Sequence, residues 1–388
     1  MRRVAEVFLV FLQLGLTSFG GPVAHIGYFR EAFVVRRQWV SDDDYGDLVA
    51  LCQFLPGPAS SQVGIAIGQM RAGVAGAVAA WVGFTLPSVV LLCAVALGAD
   101  LWNGTLALGL LHGMKLAALA AVAQAVWQMS LRLTPDWPRR RVALVVAAIL
   151  LVLDWTVLPV ILIGASAIVG ALLGPAEPAI RRVKSRPHLA ALAALILFAV
   201  LLVALPLLAL GGDPVISVAD RFYRTGALVL GGGHVVLPLL QNELVTTGLI
   251  DRDLFLAGYG AAQAVPGPLF SFAFYAGALL KSWPNGIVGG TLALVAIYLP
   301  AFLLVLGALP YWTRLKTIPR LRAGLDMANA ATVGLLLAAL YEPVFTSAVF
   351  AWPDLVVAVI AFFALSRNAP PWLVVLACGL AGMGLTLL

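Results

Sequence analysis

Two stretches, FGGPVAHIGYFREAFV at 19–34 and QFLPGPASSQVG at 53–64, return later in the same order as LGGGHVVLPLLQNELV at 230–245 and QAVPGPLFSFAF at 263–274. Pro56-Gly57-Pro58 and Pro266-Gly267-Pro268 begin 210 residues apart, and Gly20 and Gly231 stand 211 apart. A third match, Pro87 in TLPSVV and Pro300 in YLPAFL, has an offset of 213. Ordered matches at a nearly constant offset mark an internal repeat. They divide the chain into a first repeat over 1–175, a basic linker plus connecting transmembrane helix over 176–214, and a second repeat over 215–388.

Composition sets the medium. The 388 residues are 62% hydrophobic and 11% charged, where soluble domains carry about 25% charged residues. Apolar runs long enough to cross a bilayer, about 20 helical residues, stand near 73–98, 104–131, 141–153, 155–174, 189–211, 286–308, 323–341, 344–365 and 371–388. The runs are continuous rather than alternating, so the expected fold is an all-α polytopic membrane protein and not a barrel. The net charge of +6 sits in short clusters between apolar segments, which excludes a nucleic-acid face and reads instead as an orientation signal. Cys52, Cys93 and Cys378 lie far apart in apolar stretches and are packing residues; no metal-ligand spacing and no cofactor motif occurs. Met1-Arg2-Arg3 and the apolar run after it resemble a signal peptide. The run leads into Ser18-Phe19-Gly20-Gly21-Pro22 without a small-residue cleavage pattern, so retention is expected.

Segments 4–19 and 22–35 flank Gly20-Gly21-Pro22, and segments 46–55 and 59–70 flank Pro56-Gly57-Pro58. These are discontinuous helices, which either cross or re-enter. Arg2-Arg3, Arg36-Arg37, Arg139-Arg140-Arg141, the linker Arg181-Arg182-Lys184-Arg186, and Arg314, Lys316, Arg320 and Arg322 belong in the cytoplasm. The first repeat then makes an even number of crossings, and helix 189–211 adds one more. The expected architecture is two inverted-topology repeats with discontinuous helices, the amino terminus cytoplasmic and the carboxyl terminus periplasmic. By analogy with other transporters of this plan, the substrate site lies where the breaks meet.

A helix restarted in mid-membrane exposes free N–H groups and the positive end of its dipole, which suits an anion. Proline costs nothing at a first helical turn, and glycine permits close approach of backbone. The candidate substrate-binding set is Gly20, Gly21, Pro22, Gln53, Pro56, Gly57, Pro58, Ser60, Ser61 and Gln62 in the first repeat, with Gly231, Gly232, Gly233, Gln263, Pro266, Gly267, Pro268 and Ser271 in the second. For one motif alone, kinking or close helix packing is the simpler account; duplication of both in order favours a site. Pro58 is followed by more polar donors than Pro268, so the first repeat is expected to hold more of the substrate. Gln53 and Gln263 precede the two motifs at the same spacing and are placed to bond backbone freed at the breaks. His25 and His234, just past the glycine breaks, are either satisfied buried residues or proton carriers.

Ionisable residues inside spans are expensive and become functional candidates. Lys115 and Asp326 each follow a glycine by two residues, at an offset of 211. They occupy equivalent places with opposite charge, and either pair near the repeat axis or, for Lys115, face an anion; Asp326 can also snorkel to the basic loop just before it. Arg30, Glu31, Asp100, Asp154, Glu243, Glu342 and Asp42-Asp43-Asp44 read as solvated or gate-lining.

The four motifs FGGPVAHIGYFR, LPGPASSQVGIAIG, LVLGGGHVVLPLLQNELV and AAQAVPGPLFSFAFYAGALL resemble the chromate ion transporter family in its long, two-domain form, over nearly the whole chain. The resemblance implies export of chromate from the cytoplasm through a bacterial inner membrane, driven by membrane potential or a proton gradient, by two antiparallel halves. Chromate is a tetrahedral dianion like sulfate, which agrees with the anion reading of the breaks; sulfate or another oxyanion stays open as the cargo. The partners expected are that oxyanion and the lipid bilayer, with a homodimer left open. A membrane-embedded enzyme lacks support, since no nucleophile elbow, metal cluster or catalytic carboxylate pair occurs. Paired inverted breaks also suit alternating access better than a channel.

Overall fold

The computed structural model describes residues 2–18, 21–98, 105–153, 158–174, 189–230, 233–312, 318–367 and 369–386. Gly20, Gly231, Gly232, Asp100, Asp154 and the basic linker lie outside them. The described chain is helical throughout, and five helices are long and apolar enough to span a membrane.

The first repeat opens with α1 (Arg2–Thr17), α2 (Gly21–Arg30), α3 (Asp42–Phe54) and α4 (Ala59–Leu97). Phe11 of α1 stacks on Phe33 just past α2 at 4.9 Å, so α1 and α2 form an antiparallel hairpin whose tip is the glycine break. Arg30 at the end of α2 bonds Asp42 at the start of α3, and Arg71 on α4 bonds Glu6 near the start of α1. Both hairpins therefore have their open ends together and their broken tips at the far end. Arg30 and Asp42 are solvated, and the bond from Arg30 holds the Asp42 carboxyl below its usual range.

Helix α4 is two helices back to back. Ala72 (φ −146°, ψ 24°) and Gly73 (φ +67°, ψ −158°) reverse the chain, a left-handed conformation that glycine adopts without steric cost. The arm 59–71 then folds against 74–97, with Gly68 packed directly on Gly76 and Ala80. In the second repeat Gly277 packs on Gly289 and Ala293 in the same way. With no hydrophobic drive between helices in lipid, such small-residue contacts supply the packing.

The first repeat continues through α5 (Thr105–Leu133) and a hairpin of α6 (Trp137–Val152) and α7 (Leu158–Leu173). Helix α8 (Leu189–Ala209) connects the repeats and exposes Leu192, Ile196, Val200, Val203 and Leu207 to the surroundings, as a lipid-facing helix must. The second repeat runs α9 (Pro214–Leu228), α10 (Val236–Leu244), α11 (Arg252–Ala264), α12 (Phe272–Ala278), α13 (Gly286–Ala308), α14 (Pro319–Ala339), α15 (Trp352–Ser366) and α16 (Pro371–Leu385). Wide turns over Leu340–Phe345 extend α14, so the apolar run at 344–365 is divided between this extension and α15.

The terminal hairpins are exchanged. Helices α15 and α16 of the second repeat pack on α5 of the first, while α6 and α7 of the first pack on α14 of the second. Three helices that start at outer ends carry side-chain caps, where Ser41 accepts from Asp44 N, Asp213 from Val215 N and Asp251 from Asp253 N; α13, α14 and α16 start without one. The arms that start at the Pro-Gly-Pro breaks have Pro58 and Pro268 at that position and no side-chain cap.

The glycine contacts can be tested by filling them. Gly68→Val and Gly277→Val should each destabilise the detergent-solubilised protein by about 1–3 kcal/mol, as overpacking does, read as a lowered midpoint of thermal unfolding. Gly164→Val, where nothing lies within 4 Å of an added Cβ, should leave that midpoint unchanged.

Candidate functional site

The two Pro-Gly-Pro glycines donate their N–H groups across the repeat boundary. Gly57 N reaches the Val229 carbonyl at 2.7 Å, and Gly267 N reaches the Ser18 carbonyl at 3.0 Å. Ser18 and Val229 end the outer arms of the two glycine breaks, at equivalent positions. Each repeat thus supplies the acceptor for the other's broken backbone, the reciprocal exchange that a twofold relation produces. The next contact obeys the same rule. A Cβ built on Gly57 would lie 3.5 Å from Ala301 Cβ, and one on Gly267 would lie 3.1 Å from Ser88 Oγ; Ser88 and Ala301 each follow a repeated proline. Gly57 (φ +120°) and Gly267 (φ +103°) hold backbone conformations reserved for glycine.

At the first break, the N–H groups of Ala59, Ser60 and Ser61 precede the first intrahelical bond of the 59–71 arm, which Gln62 N makes to the Pro58 carbonyl. His25 Nδ1 lies 3.4 Å from Ser60 Oγ, with its ring edge-on to Phe84 at 5.2 Å. Ser61 Oγ is 3.5 Å from the Tyr298 hydroxyl of the second repeat. Gln62 Nε2 donates to the Pro56 carbonyl at 2.8 Å. Four buried polar atoms here lack a partner at full hydrogen-bond geometry, Ser18 Oγ, His25 Nε2, Gln62 Oε1 and Thr85 Oγ1; weaker contacts join His25 to the Ser18 backbone and Thr85 to the Tyr298 hydroxyl. Their residues are 1%, 1%, 0% and 2% exposed. Buried groups of this kind are normally satisfied, and four together call for an explanation. Gly21 and Pro22 open α2 at the same tip.

The second break is more self-contained. Leu269–Ser271 form a single tight turn in which Ser271 Oγ donates back to the Pro268 carbonyl at 2.6 Å. His234, on the turn with Gly233 before α10, bonds the Tyr259 hydroxyl at 2.9 Å. Gln263 is placed beside the same Tyr259 hydroxyl, its Nε2 short of full hydrogen-bond geometry. Each histidine therefore ties its glycine-break hairpin to its own Pro-Gly-Pro hairpin.

Three sequence-based expectations are corrected. Gln53 is exposed, and Gln62 supplies the bond to break backbone that Gln53 was expected to make. Lys115 and Asp326 do not pair: Lys115 Nζ lies 2.9 Å from Asp253, and Asp326 lies 3.3 Å from Arg139. Their side chains extend to opposite ends of the bundle because α5 and α14 each enter from a different end. Glu243 is neither solvated nor at a rim; it is buried against Arg221 and Arg224, and Arg224 also holds Asp220. The paired charges satisfy one another where an isolated charge would be costly.

Ser18, Thr85, Ser88 and Tyr298 were missed. The signal lay in the repeat itself: Thr85 and Tyr298 both stand two residues before the repeated prolines, at the offset used to find them.

Interrupted helices meeting inside a multi-pass helical bundle, with unsatisfied polar groups at the meeting point, define a membrane transporter rather than an enzyme. The family described as "Chromate transporter" matches residues 5–174 and 216–383, one segment per repeat, and the chain belongs to that family. A chromate transport protein of Pseudomonas aeruginosa is 30% identical over 344 residues, covering 85% of this chain and 79% of its own. A probable chromate transport protein of Synechococcus elongatus is 29% identical, covering 84% and 80%. A chromate transport protein of Cupriavidus metallidurans is 27% identical, covering 85% and 80%. No solved structure matches the chain.

Replacing either cross-repeat glycine tests the junction. Gly57→Ala and Gly267→Ala should each cost about 1–3 kcal/mol of stability through left-handed strain, measured as a lowered thermal midpoint. Ala at Gly21, also at positive φ but with open space around it, should cost less than either.

Proposed function

We propose that the chain is a secondary transporter that exports a tetrahedral oxyanion dianion, chromate, from the cytoplasm across a bacterial inner membrane, with its two repeats inverted. The observation that carries this reading is the meeting of both breaks through two reciprocal backbone bonds, beside buried polar atoms that lack a partner at full hydrogen-bond geometry. Ser18 Oγ, Thr85 Oγ1 and His25 Nε2 each offer an N–H or O–H to an anion held at the free first turn of the 59–71 arm, where the helix dipole is also favourable. Gln62 Oε1, an acceptor, takes a water of the anion's shell. The second break, whose Ser271 hydroxyl is already spent on Pro268, positions the backbone and contributes less.

Inversion is supported by the chain's path. The four re-entrant hairpin arms return to the end they left, 74–97 and α5 cross and return, and the hairpin α6–α7 adds no net crossing. Helix α8 crosses once, so the second repeat starts from the opposite face. Arg2, Arg139 and Arg320 then all face the cytoplasm, in keeping with the positive-inside rule. The relatives' printed names support chromate as cargo; sulfate has the same shape and charge and is the control.

Uptake of radiolabelled chromate and sulfate into inverted vesicles, with and without an imposed potential or pH gradient, is the direct measurement. Chromate should accumulate when a gradient is present and sulfate should compete; movement of neither anion would defeat the proposal. Ser18→Ala combined with Thr85→Val should weaken apparent chromate affinity by roughly tenfold or more, the scale of one lost bond to a charged group, while chromate handling equal to the parent would remove these hydroxyls as anion donors.

A further inference from the structure

Away from the breaks, a set of ionisable side chains pairs across the repeat boundary in two separate groups. In the first, His112 Nε2 lies 2.7 Å from Asp354 Oδ1, and Lys115 Nζ lies 2.9 Å from Asp253 Oδ1. His112 and Lys115 are one turn apart on α5 of the first repeat; Asp354 and Asp253 stand on the first turns of α15 and α11 of the second. Phe350 joins the two pairs, stacked on His112 at 5.6 Å and lying under the Lys115 ammonium at 5.4 Å. The second Asp354 oxygen accepts from Phe350 N and Ala351 N, both at 3.0 Å, which fixes that carboxylate in place.

The second group is the counterpart. Asp326 on α14 of the second repeat lies 3.3 Å from Arg139, on the first turn of α6 of the first repeat. Asp136, the cap of α6, holds the same guanidinium at 3.0 Å. Lys115 and Asp326 occupy equivalent repeat positions, so in both halves the long central helix reaches to the first turn of a helix belonging to the other half. The two groups lie at opposite ends of the bundle. Helix α5 is unbroken from Thr105 to Leu133, which places His112 about 30 Å from its far end at 1.5 Å per residue. Arg139 lies beyond that end.

We infer that these two groups are the gates of the transport cycle: His112, Lys115, Asp253 and Asp354 clasp the repeats at the outer face, and Arg139, Asp136 and Asp326 clasp them at the cytoplasmic face. The inference rests on the transporter reading above and adds which residues decide the side to which the central site opens. Both clasps join surfaces that must part for the site to reach water on that side. Their carboxylates are partly open to solvent, with Asp253 60% and Asp326 36% exposed. Asp253 and Asp326 can therefore be hydrated as the clasps part, whereas Lys115 and Asp354, each 7% exposed, gain water only when the outer clasp opens. Both clasps are formed in this structure while the polar groups between them are buried, so the conformation is the occluded one. The chemistry also differs from a mere structural bridge: Glu6 with Arg71 lies within one repeat, whereas every pair in the clasps joins the two, apart from the Asp136 cap.

The test uses a protein without Cys52, Cys93 and Cys378, carrying Ser88→Cys as a reporter between the clasps. A membrane-impermeant maleimide is applied to right-side-out and inside-out vesicles. Lys115→Asp should raise outer labelling by about fivefold or more, the usual scale of coupling between linked elements, and adding Asp253→Lys should return it toward the parent. Asp326→Arg should raise cytoplasmic labelling instead, with Arg139→Asp restoring it. Labelling that neither reversal changes, or double variants that fail to restore it, would overturn the gates. If a reversal prevents membrane insertion, Lys115→Gln and Asp326→Asn take its place with the same directions expected. In a second arm, disulfides between His112→Cys and Asp354→Cys, and between Arg139→Cys and Asp326→Cys, should each stop chromate uptake until reduced; uptake through an oxidised lock would also overturn the inference. The labelling arm needs no anion to move, so a wrong cargo and a wrong gate give different results.

Discussion

A helix broken inside a membrane leaves N–H and C=O groups that lipid cannot satisfy, and everything else in this protein is arranged around that constraint. The solution is mutual. Gly57 uses the carbonyl of Val229 and Gly267 uses the carbonyl of Ser18, so neither repeat can complete its broken tips alone. The requirement for positive φ at both glycines, and for another chain segment within van der Waals reach, accounts for the sequence Pro-Gly-Pro twice over. A Cβ at Gly267 would crowd Ser88 and the Phe84 carbonyl of the other repeat, while one at Gly57 would first meet Gln62 of its own repeat.

Around that junction, contact is made by small residues and aromatic rings rather than by charge. Phe11, Phe29, Phe33 and Phe84 fill the first hairpin, and Phe255, Tyr259, Phe272 and Tyr275 fill the second. Glycine pairs let the return arms lie directly on the long helices. Among the described residues, charges sit at the outer ends apart from the Asp220, Arg221, Arg224 and Glu243 set, which satisfies itself. The centre described is thus polar but uncharged, which suits the oxyanion cargo proposed above. A fixed cation there would hold the anion more tightly and release it more slowly.

Much of this was legible in the residues. Duplicate motifs at a constant offset mark the repeats because each half solves the same backbone problem with the same residues, and most apolar runs coincide with helices because a continuous apolar segment in lipid satisfies its own backbone only as a helix. The first-break residues Ser60, Ser61 and Gln62 and the histidine His25 were also identifiable, since polar groups directly after a break are rare in an apolar chain. Partnerships were not. Gln53 and Gln62 are equally plausible donors by spacing, and only the rotation of the helices puts one outside and the other against Pro56. Thr85 and Tyr298 looked like ordinary span residues until the long helices were seen to pass beside the opposite repeat's break.

Lys115 and Asp326 divide what each level of description decides. Their equivalence and opposite charge follow from the repeat alone, as does the expectation that an ionisable group inside a span needs a partner. Which partner was decided by the tertiary arrangement: the terminal hairpins are exchanged between halves, so Lys115 meets Asp253 and Asp326 meets Arg139 at opposite ends of the bundle. Local sequence specifies where a helix breaks and which groups it leaves unsatisfied, because those are properties of a few adjacent residues. It does not specify which distant segment satisfies them, because that depends on how whole helices pack.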